Sequence, residues 1–190
     1  AGYIFQTNPF LEYSNHQYKA MKNAYAGHLK YSFQLRPHTV ADQAYIGAYQ
    51  GIGVGYFNFG NPEELGNPLA VYLFQGGRIA QFSPRISLNY EWNFGASFGW
   101  KPYDEYDNPE NQIIGSKVNA YLNVNLYLKW ALSPKFDLMI GATGSHFSNG
   151  NTQYPNSGLN TVDCKVGLVY NFNRRADELA QSWQRPIVPP

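Results

Sequence analysis

A histidine and a serine two positions apart are the residues of this sequence best suited to chemistry. His146 and Ser148 occur in the segment Gly144-Ser145-His146-Phe147-Ser148-Asn149-Gly150-Asn151. Residues two apart in a β-strand extend from the same face, so this spacing would place the imidazole beside the hydroxyl. An imidazole in that position can take the hydroxyl proton and make the serine oxygen a nucleophile. The segment therefore predicts a site for ester chemistry, with Ser148 as nucleophile and His146 as base.

The residues around this pair indicate the face of the strand on which it lies. The register of His146 runs through apolar or small residues that would face lipid, namely Leu138, Ile140, Ala142 and Gly144. On the next strand the outward register runs through Val162, Cys164, Val166, Leu168, Tyr170 and Phe172. Extending it back by two residues places Asn160 on the face of His146, where its side chain could orient the imidazole as a third catalytic residue. Asp163 is the carboxylate rival, but its parity directs it inward.

Polar side chains on a lipid-directed face have two interpretations. Leaving a His, a Ser and an Asn unpaired there is costly, which favours a functional site. The alternative is that these residues are polar because strands end at the membrane interface, where polar residues are common.

Long runs of alternating residues indicate the strands that would carry the site. Every even position between 86 and 100 is apolar: Ile86, Leu88, Tyr90, Trp92, Phe94, Ala96, Phe98 and Trp100. The same holds between 117 and 132: Val118, Ala120, Leu122, Val124, Leu126, Leu128, Trp130 and Leu132. Nearly all odd positions are polar or small. Either run is long enough to cross a hydrocarbon layer at a tilt, which takes roughly 9–11 residues.

Eight strand candidates predict an all-β fold, an eight-stranded antiparallel outer-membrane β-barrel. They cover residues 2–10, 23–35, 44–59, 69–82, 86–100, 117–132, 136–148 and 160–172. A soluble lipocalin-like barrel is the alternative. Trp92, Trp100 and Trp130 favour the membrane, because aromatic girdles mark bilayer interfaces. The inward register of residues 44–59 holds glycines, as a narrow barrel requires: Gly47, Gly51, Gly53 and Gly55.

The connections between these strands alternate in length. Ser83-Pro84-Arg85 and Ser133-Pro134-Lys135 are tight turns, whereas 11–22, 60–68, 101–116 and 149–159 are long and polar. Outer-membrane barrels have short periplasmic turns and longer outer loops, so His146 and Ser148 are expected in the outer leaflet. We expect residues 1–172 to form the barrel and residues 173–190 to form a C-terminal periplasmic tail.

Composition excludes several other functions. The net charge is +1 and only 14% of residues are charged, so nucleic acid is not an expected partner. Aromatic residues reach 17% while mean hydropathy is −0.43, as in proteins that distribute apolar residues by alternation. The single cysteine, Cys164, excludes an intrachain disulfide framework. A pore is disfavoured because the interior would be filled by inward side chains such as Tyr121, Tyr127, Lys129 and Glu91.

The site segment resembles a motif of a known enzyme family. His146-Phe147-Ser148-Asn149-Gly150, followed by Pro155-Asn156-Ser157-Gly158-Leu159-Asn160, is similar to the H-x-S-N…P-N-x-G motif of the lipid A 3-O-deacylase (PagL) family. The stretch Asn89-Tyr90-Glu91-Trp92-Asn93-Phe94-Gly95 is also similar to relatives in this family. The resemblance spans roughly residues 2–172, with the specific motif confined to 146–160.

The resemblance implies an enzyme of the bacterial outer membrane that removes the 3-O-linked hydroxyacyl chain of lipid A. It implies Ser148 as nucleophile, His146 as general base, and an oxyanion hole from Asn149 and amides near Gly150 and Asn151. No metal or other cofactor is implied, and the partner is lipopolysaccharide in the outer leaflet; the oligomeric state stays open. We further expect Ala142 and Gly144 to leave a groove for an acyl chain.

One residue departs from the family pattern. Characterised members have Glu where this chain has Asn160, and a neutral amide orients imidazole without stabilising imidazolium by charge. The alternative function is therefore a catalytically inert barrel with a structural or adhesive role.

Overall fold

A computed structural model describes residues 2–5, 9–12, 14–15, 18, 20–21, 24–34 and 47–174. Its elements are β1 (Gly2–Phe5), α1 (Pro9–Glu12), β2 (Tyr25–Gln34), β3 (Tyr49–Asn58), β4 (Gly66–Ser83), β5 (Ile86–Trp100), β6 (Val118–Ala131), β7 (Phe136–Ser148) and β8 (Leu159–Tyr170). The only helix in the described part of the chain has four residues. The predicted all-β class is confirmed.

The strands pair in sequence order and all the pairings are antiparallel. From β2 to β8, each strand pairs with the next in one continuous sheet of seven strands. The short β1 pairs with β8 through four residue pairs and with β2 through two, so that the strand order returns to its start. The predicted antiparallel arrangement is therefore confirmed.

The alternation predicted for the long strands is present. On β5, β6 and β8 alternate residues are buried, and at most positions the buried side chains are polar and the more exposed ones are apolar. Trp92 and Trp130 lie on the outer face as predicted, with exposed fractions of 45% and 49%. A sheet with buried polar residues and an exposed apolar face is the reverse of a water-soluble sheet, so its outer face suits an apolar solvent.

The structure contradicts the prediction that Trp100 lies on the outer face. Gly99 adopts a φ of +87°, which interrupts the alternation, and Trp100 turns inward to an exposed fraction of 3%. Its ring stacks on Phe59 and its Nε1–H donates to Ser97 Oγ at 2.9 Å. Trp100 therefore belongs to the interior and not to an interfacial girdle.

The two ends of the sheet have different connections and different interiors. The turn end holds two tight Ser-Pro turns, in which Ser83 and Ser133 each accept the backbone N–H three residues on at 3.1 Å. The loop end holds the connections 59–65, 101–117 and 149–158. Below these loops the interior is filled by an aromatic cluster, comprising Phe57, Phe59, Tyr72, Trp100, Tyr121 and Phe147. Gly53 makes room for it, since a Cβ there would lie 2.4 Å from the Tyr72 ring.

The first and third strands are shorter than predicted. β1 ends at Phe5 instead of residue 10, and α1 occupies Pro9–Glu12. β3 begins at Tyr49 instead of residue 44.

Most of the predicted tail lies outside the described residues, but Arg174 pairs with Asp137 at 2.7 Å at the turn end. No helix among the described residues is long and apolar enough to cross a membrane.

Candidate active site

The end of β7 and the start of β8 carry the predicted site residues. His146 and Asn160 are direct partners in the β7–β8 ladder, and Ser148 is the last residue of β7. Their register places all three on the outward face, where Leu122 of β6 is the ladder partner of His146. Strand pairing therefore brings together three polar residues that the sequence separates by up to 14 positions.

Two hydrogen bonds connect the three side chains. His146 Nδ1 lies 2.7 Å from Asn160 Oδ1, and His146 Nε2 lies 3.0 Å from Ser148 Oγ. An amide oxygen only accepts, so Nδ1 carries the ring proton and Nε2 presents its lone pair. Nε2 can then accept the hydroxyl proton of Ser148. This tautomer is the one a base needs in order to activate a serine.

Asp163 does not take part in this arrangement. Its side chain is buried, with an exposed fraction of 3%, and its parity on β8 directs it to the interior. It is the ladder partner of Thr143, which is also buried. The carboxylate nearest in sequence to Asn160 is therefore on the opposite side of the wall from His146.

A shallow groove of about 350 Å³ lies beside His146 on the outer face. Its outward-facing walls are Leu122 and Val124 on one side and Asn160 on the other. Gly144 forms the floor, and a Cβ placed there would have only Thr161 O within 4 Å, at 3.8 Å. Ala142 is exposed on the same face but does not line the groove, because it lies one outward position further along β7.

The loop that follows Ser148 contains the predicted oxyanion residues. The Asn149 backbone N–H already donates to Asn156 Oδ1 at 3.0 Å, and Asn149 Nδ2 donates to the Gln153 carbonyl at 2.8 Å. Gly150 and Asn151 both have positive φ, at +64° and +63°. Within the described part of the chain, no hydrogen bond occupies their backbone N–H groups. The available donors are therefore the amides of Gly150 and Asn151 and one remaining N–H of the Asn149 side chain.

Asn156 is a structural residue of this loop to which the sequence analysis gave no role. Its Oδ1 accepts from the Asn149 amide, and its Nδ2 donates to Asn151 Oδ1 at 3.0 Å. One side chain thus connects two of the three predicted oxyanion residues. The P-N-x-G part of the motif contained this signal, because an Asn seven residues after Asn149 is placed to bridge a tight loop.

Metal chemistry has no ligand set in the described region. No group of three or more His, Cys, Asp or Glu side chains among those residues is placed to hold an ion. Cys164 lies exposed on the outer face of β8, without a disulfide partner.

One comparison identifies a known protein family for more than half of the chain. The family model described as lipid A 3-O-deacylase (PagL) matches residues 70–169, from the first part of β4 to the end of β8. The matched region includes the His146, Ser148 and Asn160 arrangement and the loop between β7 and β8. No curated protein and no solved structure matches the chain.

Proposed function

The chain belongs to the lipid A 3-O-deacylase (PagL) family, and we propose that it is an outer-membrane esterase that hydrolyses the 3-O-linked hydroxyacyl chain of lipid A. The observation that carries the proposal is the hydrogen-bonded series Ser148–His146–Asn160 on an apolar outer wall. A serine nucleophile, a base in the required tautomer and a residue that orients the base are the parts of a serine hydrolase site.

The proposed setting is a closed eight-stranded barrel embedded in the bacterial outer membrane. The pairing of β1 with both β8 and β2 supports closure. The exposed apolar residues of β4 to β8 support a location in the membrane, because lipid would cover an apolar surface that would otherwise be in contact with water. The loop end then faces outward, which places Ser148 in the leaflet where lipopolysaccharide resides.

The proposed reaction has two halves. Ser148 Oγ attacks the ester carbonyl while its proton passes to His146 Nε2, and the amides of Gly150 and Asn151 stabilise the negative oxygen. The bond to the sugar 3-oxygen then breaks, and His146 returns the proton to that oxygen. In the second half water attacks the acyl-serine, His146 accepts its proton, and Ser148 leaves with the proton restored. The products are a free hydroxy fatty acid and a lipid A with a 3-hydroxyl.

The groove gives a place for the acyl chain. It lies over Gly144 between the apolar side chains of Leu122 and Val124, and it begins at His146. A chain held there would remain within the hydrocarbon layer while its ester reaches Ser148. The substrate would therefore not have to leave the bilayer to react.

A catalytically inert barrel is the second candidate, and Asn160 is the observation that favours it. A neutral amide keeps the imidazole in place but supplies no charge to balance the imidazolium formed during attack. In that case the protein would have a structural or adhesive role, and His146 and Ser148 would be interfacial polar residues.

The test uses detergent-refolded protein, purified lipopolysaccharide and mass spectrometry of the lipid A. We expect the wild type to remove the mass of one hydroxyacyl group and the Ser148→Ala variant to remove none. No mass loss with several types of lipid A would reject the esterase and leave the inert barrel.

A further inference from the structure

Gly158, at the end of the β7–β8 loop, lies directly against the imidazole. A Cβ on Gly158 would be 3.1 Å from His146 Cε1 and 3.6 Å from Ser148 Cβ. The residue has a φ of +73°, a conformation that favours glycine. The Gly158 backbone therefore lies beside His146, with too little space between them for a side chain without displacing the ring.

The β5–β6 loop holds Gly158 in this position. The Gly158 N–H donates to the Ile113 carbonyl at 3.1 Å, and the Ser157 N–H donates to the Gln112 carbonyl at 3.4 Å. These bonds join two loops that are 45 residues apart in the chain.

The contact between the two loops is close enough to exclude a side chain. A Cβ on Gly115 would lie 2.3 Å from the Pro155 carbonyl oxygen and 2.9 Å from that of Gln153. The loops therefore meet backbone to backbone, and a shift of one is transmitted to the other by contact.

Asn111 fixes the part of the β5–β6 loop that makes these bonds. Its side chain is fully buried, and its Oδ1 accepts from the backbone N–H groups of Ile113 at 3.3 Å and Ile114 at 3.1 Å. Its Nδ2 donates to the carbonyls of Glu64 at 3.0 Å and Lys101 at 2.9 Å. The amide thus makes four hydrogen bonds, which together fix the Ile113–Ile114 segment to the end of β5 and to the β3–β4 loop.

We propose that Asn111 is a positioning residue for the Ser148–His146 pair, acting through the Ile113 carbonyl and Gly158. The inference rests on the proposed esterase function and extends it to a residue outside the site. Loss of the Asn111 amide releases Ile113, Gly158 moves away from His146, and the imidazole no longer remains aligned with Ser148 Oγ. Misplacement of a reacting group by about 1 Å costs on the order of 100-fold in rate, so a loose ring should be visible in kcat.

Asn111→Ala and Asn108→Ala form a matched pair for the test. Asn108 is buried in the same loop, and its Nδ2 donates to the Glu64 carbonyl at 2.9 Å and the Pro102 carbonyl at 3.0 Å. Its side chain does not bond the Ile113 or Ile114 amides within the described structure. Both variants therefore remove a buried amide from the same loop, but only Asn111→Ala releases the segment that holds Gly158.

The two readouts are ester hydrolysis and hydrogen exchange of the full chain in detergent. With a short-chain p-nitrophenyl ester, Asn111→Ala should lower kcat by about 10- to 100-fold with little change in KM, whereas Asn108→Ala should leave kcat unchanged. The Gly158 amide should exchange faster in Asn111→Ala than in Asn108→Ala. Equal kcat values in the two variants would overturn the proposal.

An inactive wild type would reject the esterase but not decide this inference. The exchange of the Gly158 amide would then decide it. Faster exchange in Asn111→Ala alone supports the positioning role, and equal exchange in both variants overturns it.

Gly158→Ala and Gly99→Ala test the same contact if Asn111→Ala does not fold. Both glycines have positive φ, but a Cβ on Gly99 meets only Asn67 O at 3.6 Å and Pro68 Cα at 3.7 Å. Backbone strain is therefore similar, whereas only the Gly158 methyl presses on His146. We expect Gly158→Ala to lower kcat by about tenfold while Gly99→Ala leaves it unchanged. Equal activity in the two variants would contradict the proposed role of Gly158.

Discussion

Polar side chains occupy two regions of this sheet, and the two regions are built differently. In the interior, Glu91 forms an ion pair with Lys30 and accepts hydrogen bonds from Tyr49 at 3.1 Å and Asn125 at 3.2 Å. On the outer wall, His146, Ser148 and Asn160 form a short hydrogen-bonded series, and none of the three is a carboxylate, a lysine or an arginine. The interior group is an ion pair whose carboxylate also accepts hydrogen bonds from uncharged side chains, and the outer group is a hydrogen-bonded Asn–His–Ser series that ends at a hydroxyl.

The difference suggests that the interior group contributes to the stability of the fold and that the outer group contributes to the proposed reaction. A buried charge is costly unless it is paired, so removal of one partner of the interior ion pair is expected to destabilise the fold. Charge on a lipid-facing wall is costly as well, which gives a physical reason for a neutral Asn160 at that position. The same neutrality removes the counter-charge for the imidazolium. The comparison therefore predicts that changes to the outer group affect rate and changes to the inner group affect stability.

Removal of His146 should have the largest effect. We expect His146→Ala to lower kcat for lipid A or a p-nitrophenyl ester by about 10³-fold or more, because Ser148, the proposed nucleophile, would lose its proposed base. Thermal unfolding followed by circular dichroism should be nearly unchanged. Val162→Ala, on the same outer face of β8, is the control and should retain activity. A His146→Ala variant that keeps a substantial part of the activity would contradict the expectation that the outer group determines the rate.

Removal of Glu91 should give the opposite result. Glu91→Ala leaves Lys30 without its counter-charge in the interior and should lower the free energy of unfolding by about 3 kcal/mol. Denaturant unfolding in detergent micelles measures this change, and kcat at a temperature where the variant is folded should equal that of the wild type. An active-site defect in folded Glu91→Ala would mean that the two regions are coupled.

Asn160→Asp tests whether the lack of a negative charge beside His146 limits the rate. Asp has nearly the same shape as Asn and supplies the missing charge to His146, and charge-assisted hydrogen bonds are roughly twice as strong as neutral ones. We expect kcat to rise by about tenfold, which corresponds to about 1.4 kcal/mol of added stabilisation of the transition state. Steady-state kinetics beside Asn160→Glu and Asn160→Ala would measure it. A carboxylate variant slower than wild type would show that the neutral residue does not limit the rate.

Gly144→Leu should have the smallest of these effects and should depend on the substrate. A leucine side chain would fill the floor of the groove and displace part of the acyl chain. Loss of burial of one methylene, about 0.8 kcal/mol, corresponds to roughly a fourfold decrease of kcat/KM on lipid A. Hydrolysis of an acetyl ester should be unaffected, because that chain is too short to enter the groove. Unchanged turnover of lipid A would count against the groove as an acyl site.

The strands that carry the site, and the face on which it lies, could be predicted from the sequence because the alternation of apolar and polar residues is a local property. On β7 and β8 the parity of apolar residues placed His146 and Asn160 outward and Asp163 inward, as the structure has them. The inward Trp100 was missed because nothing in its local sequence indicated that Gly99 adopts a positive φ. A single residue in that conformation reverses the face of the next side chain.

Contacts between loops lay beyond sequence reasoning for a different reason. The bonds of Asn111 to Glu64 and of Gly158 to Ile113 join segments more than 40 residues apart. No periodicity relates those residues, and the bonds exist only because neighbouring strands bring their loops to the same end of the sheet. The hydrogen bond from the Asn149 amide to Asn156 is different, because both residues belong to one loop; it reduces the donors available for an oxyanion hole.

The most direct test of the outer-wall site is covalent labelling of Ser148, the proposed nucleophile. A lipid-like fluorophosphonate should modify Ser148 in the wild-type protein, and tandem mass spectrometry of the peptide that contains residues 145–151 would locate the adduct. We predict labelling at Ser148 in the wild type and loss of labelling in His146→Ala, with Ser145 on the inward face unmodified in both. Absence of an adduct at Ser148, or an equal adduct without His146, would contradict the assignment of this pair as the reacting groups.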